Sequence, residues 1–230
     1  MSVKQKLVRR QTMALLVTIL MGVAVWASQE QTQVQPTVLS SQLEQQYFGE
    51  QTATEALDAL EVKGRAPKTG YARSEFGDGW EKQGLCDTRN SILARDMTET
   101  AIDDECRVQK GILNDPYTGT VISFERGTNS SAVQIDHVVA LSDAWQKGAQ
   151  GLSRDERVTF ANDPLNLLAV DGSANQQKSD GDAATWLPPN KAFRCQYVAR
   201  QVAVKKKYHL WVTTAEKDAI SRILGQCRPI

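Results

Sequence analysis

The chain has 230 residues, 41% hydrophobic and 23% charged, with 27 basic side chains against 27 acidic ones. That length and composition suit one globular domain with one good core, not a fibrous or disordered chain. A net charge of zero excludes a globally basic nucleic-acid binder, so any such role must come from local chemistry.

Residues 1–12 carry Lys4, Lys6, Arg9 and Arg10 and no acid, and 13–27 are apolar apart from Thr18. A basic start, a short apolar run and a small residue at its end form a secretory signal over 1–27. Val25 and Ala27 suit the small-residue positions before a cut at Ser28. The run is shorter than the roughly 20 residues of a spanning helix. An uncleaved N-terminal anchor is the alternative, and only then is a membrane a partner. Residues 28–51, with many Gln, Ser and Thr, are expected to be a flexible linker, and 52–230 the folded domain.

Within 52–230, Ala53, Ala56, Leu57 and Leu60 recur at helical spacing, which predicts a helix from Thr52 to Val62 stopped by Gly64. Tyr71 to Gly84 reads as loop, and Thr88 to Met97 as a short helix. Two apolar runs, Arg107 to Leu113 and Thr120 to Phe124, flank the turn signal at 114–119 and predict a hairpin. Val133 to Leu141 reads as a strand. Ser142 is the expected N-cap of a helix through Ala149. Leu165 to Val170 reads as a second short strand. Asp171-Gly172-Ser173 is a turn, with Ser173 expected to cap a helix carrying Asn175 and Lys178. Phe193 to Lys206 and Thr214 to Leu224 read as closing helices.

The cysteines are Cys86, Cys106, Cys195 and Cys227, with no Cys-x-x-Cys pair. An export signal implies an oxidising, extracytoplasmic location, secreted or in the cell envelope, so two disulfides are expected rather than a zinc knuckle. Three connectivities are possible, and Cys86–Cys106 with Cys195–Cys227 keeps both loops local. Each such loop stabilises by about 3 kcal/mol in the chain-entropy model.

The chemistry concentrates between 135 and 180. Asp136 and His137 are adjacent, in a chain with only two histidines, and Asn166, Asn175 and Lys178 follow. A carboxylate and an amide oxygen suit a hard divalent cation, which keeps most of its waters. A neutral imidazole beside them takes a proton from water. Together they hold what phosphodiester hydrolysis needs. In a regular strand Asp136 and His137 point to opposite faces, so one site can use both only if the backbone is irregular or the site wraps the strand edge. His209 lies in Lys205-Lys206-Lys207-Tyr208-His209 and reads as a surface or half-buried residue. The lysine run there is either a nucleic-acid track or a solvated helix end. Trp80, Trp145, Trp186 and Trp211 read as core.

The stretches Ile135-Asp136-His137-Val138-Val139, Asn162 to Leu168 and Asn175-Gln176-Gln177-Lys178-Ser179-Asp180 resemble the HNH endonuclease superfamily, and more closely secreted bacterial HNH proteins of the DUF1524 type. Cys86-Asp87-Thr88-Arg89-Asn90 and Trp186-Leu187-Pro188-Pro189 add to the likeness, which spans about Tyr71 to Cys227. The resemblance implies an α+β fold with a ββα-metal core, an added β-hairpin and flanking helices. It implies Asp136 and Asn175 as ligands of Mg²⁺ or Mn²⁺ and His137 as general base. Asn166 would hold the strands or orient the imidazole, and Lys178 and Arg89 would contact phosphate. Asn175 stands where the name-giving pattern has His, which favours Mg²⁺ over softer metals. The implied activity is an exported endonuclease of low sequence specificity acting on nucleic acid, with DNA ranked ahead of RNA and no stable protein partner. Its rate would rise with pH through the imidazole pKa, ordinarily about 6.5 and displaced upward by a neighbouring carboxylate or downward by a neighbouring cation. The alternative is a non-catalytic exported protein of the same fold that binds nucleic acid or an envelope polymer.

Overall fold

The computed structural model describes residues 38–229, and the expected signal segment lies outside them. No helix among the described residues is long and apolar enough to cross a membrane. The fold is mixed α+β with two disulfides, Cys86–Cys106 and Cys195–Cys227, the local pairing expected.

β1 (Val38–Leu39) pairs in parallel with the last strand, β9 (Arg228–Pro229). Helix α1 (Ser41–Phe48) is capped by the Ser40 hydroxyl, and Phe48 and Leu39 are buried in the main core. The described part of the expected linker is therefore folded chain. Two large apolar side chains gain burial there, which outweighs the polar composition around them. Helix α2 (Ala53–Asp58) starts with a Thr52–Glu55 capping box. It ends well before Gly64, because Val62 leaves the helical path to bridge Val212. Inside the expected loop, Arg73–Phe76 forms a 3₁₀ turn that buries Phe76.

β2 (Lys82–Gln83) and β3 (Cys86–Asp87) form a tight antiparallel pair. Asp87 then caps α3 (Thr88–Asp96). A three-stranded antiparallel sheet follows, made of β4 (Thr98–Ile102), β5 (Val108–Asn114) and β6 (Val121–Glu125). The last two are the expected hairpin. The flanking β4 is more exposed than buried, so it offers no clean alternation to read.

β7 (Val133–His137) pairs antiparallel with β8 (Leu167–Asp171), from Val133↔Asp171 to His137↔Leu167. Between them lie α4 (Leu141–Trp145) and α5 (Arg154–Asn162). The strand thus ends at His137, not Leu141. Ser142 does not cap α4; its hydroxyl donates to Asp180 instead. α5, with its Ser153–Glu156 capping box, has no counterpart in the sequence expectations. Helix α6 (Gly172–Lys178) leaves β8 directly, capped by Asp171 rather than Ser173. Gly172 lies so close to the start of β7 that a Cβ would sit 2.2 Å from the Ser131 carbonyl oxygen. Only glycine lets α6 pack this tightly against the strand pair.

Helices α7 (Arg194–Lys207) and α8 (Thr214–Leu224) close the fold where expected. Their apolar faces join α1 and α2 in the main core. A second core gathers Phe76, Trp145, Phe160 and Tyr208, and a third packs α3 against β5, β7 and β8.

Candidate active site

Asn166, the residue before β8, is fully buried. Its carbonyl accepts from Val138, its Oδ1 accepts from the Val139 amide at 2.8 Å, and its Nδ2 donates to the Val139 carbonyl. This amide therefore fixes the chain just past His137. Its side chain touches no open space and bonds only to the Val139 backbone. Asn166→Ala leaves the buried Val139 groups unpaired, each costing about 1–3 kcal/mol. Urea melts should show that loss; an unchanged midpoint would contradict this clamp.

His137, the last strand residue, is 6% exposed. Its Nε2 lies 2.9 Å from the Ala161 carbonyl oxygen on α5. A carbonyl only accepts, so Nε2 carries the proton and Nδ1 is left as a free acceptor. The ring stacks on Trp80, with centroids 5.6 Å apart and planes 12° apart. Burial pushes the imidazole pKa down to about 3, against the bond to Ala161. The ring is neutral throughout the physiological range, so the rise in rate expected through the imidazole pKa is displaced far below 6.5.

Asp136 points to the other side of the strand and is also buried. The Tyr117 hydroxyl donates to Oδ2, and the Lys178 ammonium donates to Oδ1 at 2.9 Å and to the His137 carbonyl at 2.9 Å. Burial raises the Asp136 pKa, while Lys178 and Tyr117 pull it back. Lys178 is fully buried and its contacts are all internal, so the expected phosphate contact at Lys178 is corrected. It neutralises Asp136 because a carboxylate here has lost its water.

Despite pointing opposite ways, Asp136 and His137 line one cavity of about 540 Å³. The sheet has two strands and His137 ends one of them, so the cavity wraps the strand end. Asn175 and Arg89 line it too. Asn175 Nδ2 donates to Gln134 at 2.9 Å, which leaves its amide oxygen on offer. Arg89 donates to the Val133 carbonyl and forms no ion pair among the described residues; burial lowers its pKa. Arg73, exposed on the 3₁₀ turn, stands at the same cavity and forms no ion pair among the described residues. Lys68 lines it as well but is paired with Asp180.

Sequence reasoning missed Arg73, Gln134 and Tyr117. Tyr117 sat inside a turn signal, where its hydroxyl gave no hint of Asp136, nineteen residues on. Trp80, read as core, is half-buried and stacks on the imidazole. Lys205, first of the lysine run, is buried among acids and faces no nucleic acid, while Lys206 and Lys207 are exposed. His209 is exposed and lines none of the cavities around His137.

No group of three or more His, Cys, Asp or Glu gathers as a metal cage among the described residues. That argues against a closed zinc-type site. A hard cation asks for less: one or two protein oxygens and retained waters. Asp136 has four lone-pair positions and spends two, and Asn175 adds an oxygen at the same cavity. The donor set therefore fits such an ion, with Asp136 shared between it and Lys178.

A family model for the C-terminal domain of GmrSD restriction endonucleases matches residues 87–223. This span holds Asp136, His137, Asn166 and Asn175. A protein of Arthroderma benhamiae, described as an uncharacterized secreted protein, is 38% identical over 178 residues, covering 76% of this chain and 85% of the relative. No solved structure matches. The secreted relative and the two disulfides place the protein outside the cytoplasm. The chain belongs to the family of the C-terminal domain of GmrSD restriction endonucleases, a nuclease-type family.

Proposed function

We propose that this protein is an exported, metal-dependent endonuclease of the HNH type that hydrolyses nucleic-acid phosphodiesters with little sequence preference. The strands β7 and β8 and helix α6 form its ββα core. The observation that carries this reading is His137. It is a neutral imidazole with Nε2 held by a carbonyl, and it lines one cavity with Asp136, Asn175 and two unpaired arginines.

His137 Nδ1 takes the proton from the attacking water. Asn166 keeps the chain beyond the imidazole fixed while this happens. Arg73 and Arg89 hold the phosphate, which planar guanidiniums recognise through paired donors. Asp136 and Asn175 would hold Mg²⁺ or Mn²⁺, which when bound supplies positive charge for the phosphate oxygens. No separate recognition element stands among the described residues to read base edges, so contacts to backbone phosphate carry the affinity. DNA is the expected substrate.

One observation favours a second reading, a non-catalytic nucleic-acid binder: both Asp136 oxygens already accept internal donors. Plasmid and RNA incubated with the protein separate the two. Cleavage should require Mg²⁺ or Mn²⁺, stop with excess chelator and return on adding metal. Full activity in chelator would overturn the metal reading, and binding without cleavage under any divalent ion would favour the binder.

A further inference from the structure

Two hollows with different linings meet at His137. The cavity of about 540 Å³ presents the cations Lys68, Arg73 and Arg89. A second, of about 460 Å³, presents Phe76, Trp80, Leu141 and Ala161 between glycines of the 77–79 loop. Arg73, His137 and Leu141 line both. Trp80 also lines a third hollow of about 370 Å³, so it borders open space on more than one side although it stacks on His137.

These linings suit different parts of a nucleotide. Phosphate belongs in the first hollow, among guanidiniums. The second has one cation, Arg73, opposed by Asp78, so a phosphate gains little there. A flat, weakly polar base gains more, from apolar walls and an indole already held parallel to His137. Both hollows are of the size that encloses small ligands, roughly 300–1,000 Å³.

Building on the nuclease reading above, we infer that the substrate stacks an unpaired base against Trp80 while its phosphate lies between Arg73 and His137. The substrate class is then single-stranded nucleic acid, or an unpaired stretch within a duplex. A base inside a duplex stack cannot enter such a hollow unless it is first extruded. Stacking also accepts every base, because each has a π-face, which agrees with low sequence preference.

The test gives the full chain, with Mg²⁺, three probes of equal length: a single strand, the same sequence fully paired, and a strand of abasic nucleotides. The single strand should be cut at least about tenfold faster than the duplex at limiting concentration. Trp80→Leu should lower kcat/KM on the single strand by about 5- to 100-fold, mainly through KM, relative to its own rate on the abasic strand. Trp80→Phe should restore most of that ratio. If Trp80 serves only to support His137, both probes slow alike and the inference is overturned. Equal rates on single strand and duplex overturn it as well, while the nuclease reading stands. If no probe is cut, the nuclease reading fails and takes this one with it. Should Trp80→Leu not fold, the wild type decides: one abasic nucleotide beside the cut should raise KM several-fold, and an unchanged KM rejects base stacking.

Discussion

His137→Ala should lower kcat by about 10²- to 10⁴-fold, the usual worth of a positioned general base. The expectation rests on geometry: Nε2 is committed to Ala161, and Nδ1 is the nitrogen left to accept a proton. Affinity for Mg²⁺ should survive, because the proposed ligands are Asp136 and Asn175. His209→Ala should leave the rate within about twofold, since that ring is exposed and away from the cavity. Single-turnover kinetics at saturating Mg²⁺ make the comparison. Near-normal turnover in His137→Ala, or a dead His209→Ala, would remove the imidazole from the mechanism. Melting temperature should be read beside it, because the substitution also unstacks Trp80.

Lys147→Met should be the most destabilising of the substitutions considered. The ammonium is wholly buried and lies 2.7 Å from each of Asp143, Asp182 and Glu216. Lys205 and Arg65 complete the cluster, pairing three acids with three bases across α4, α7, α8 and the chain after α6. Removing Lys147 leaves three buried carboxylates against two cations, one negative charge uncompensated, at about 3–5 kcal/mol. For a domain of this size that is roughly 6–20 °C in Tm. Lys63→Met, which breaks an exposed pair with Glu61, should cost under about 1 kcal/mol. A fall of less than about 2 °C in Lys147→Met would show that the cluster adds nothing to stability.

The same cluster sets a pH dependence. Burial alone would raise the Asp182 pKa, but Lys147 and then Arg65 hold it below its ordinary 3.8. A depressed carboxyl stabilises above its unfolded pKa, and that stability is lost as pH falls below about 4. Burial alone would lower Lys205, but Glu216 and Asp143 raise it above 10.5. Its contribution is complete below 10.5 and lost as pH rises past the folded value. His137, held neutral down to about pH 3, adds a loss of stability as pH falls below its unfolded value of about 6.5. Stability should therefore be level between about pH 7 and 10 and fall on the acid side. In Lys147→Met the acid-side fall from pH 5 to 3 should be shallower, because Asp182 has lost its main stabilising partner.

Local rules made much of this legible without coordinates. The hairpin around 114–119, the helices at 88–96, 194–207 and 214–224, and the strand pair with its following helix all follow from short-range periodicity and turn chemistry. That the four cysteines form disulfides followed from an oxidising compartment, while the structure chose the local pairing among the three connectivities left open. The neighbourhood of Asp136, His137, Asn166 and Asn175 was readable because each lies in, or next to, two strands that pair with each other and the helix that leaves the second of them directly. What only the tertiary structure decided depends on distance across the chain. Lys178 looks like a solvent-facing cation until Asp136 is seen buried beneath it. Tyr117, Ala161 and Trp80 reach the site from three other segments, and no local pattern encodes their arrival. The His137 pKa moved because desolvation belongs to the packed state: an isolated imidazole titrates near 6.5, and the same ring enclosed by Trp80 and α5 stays neutral.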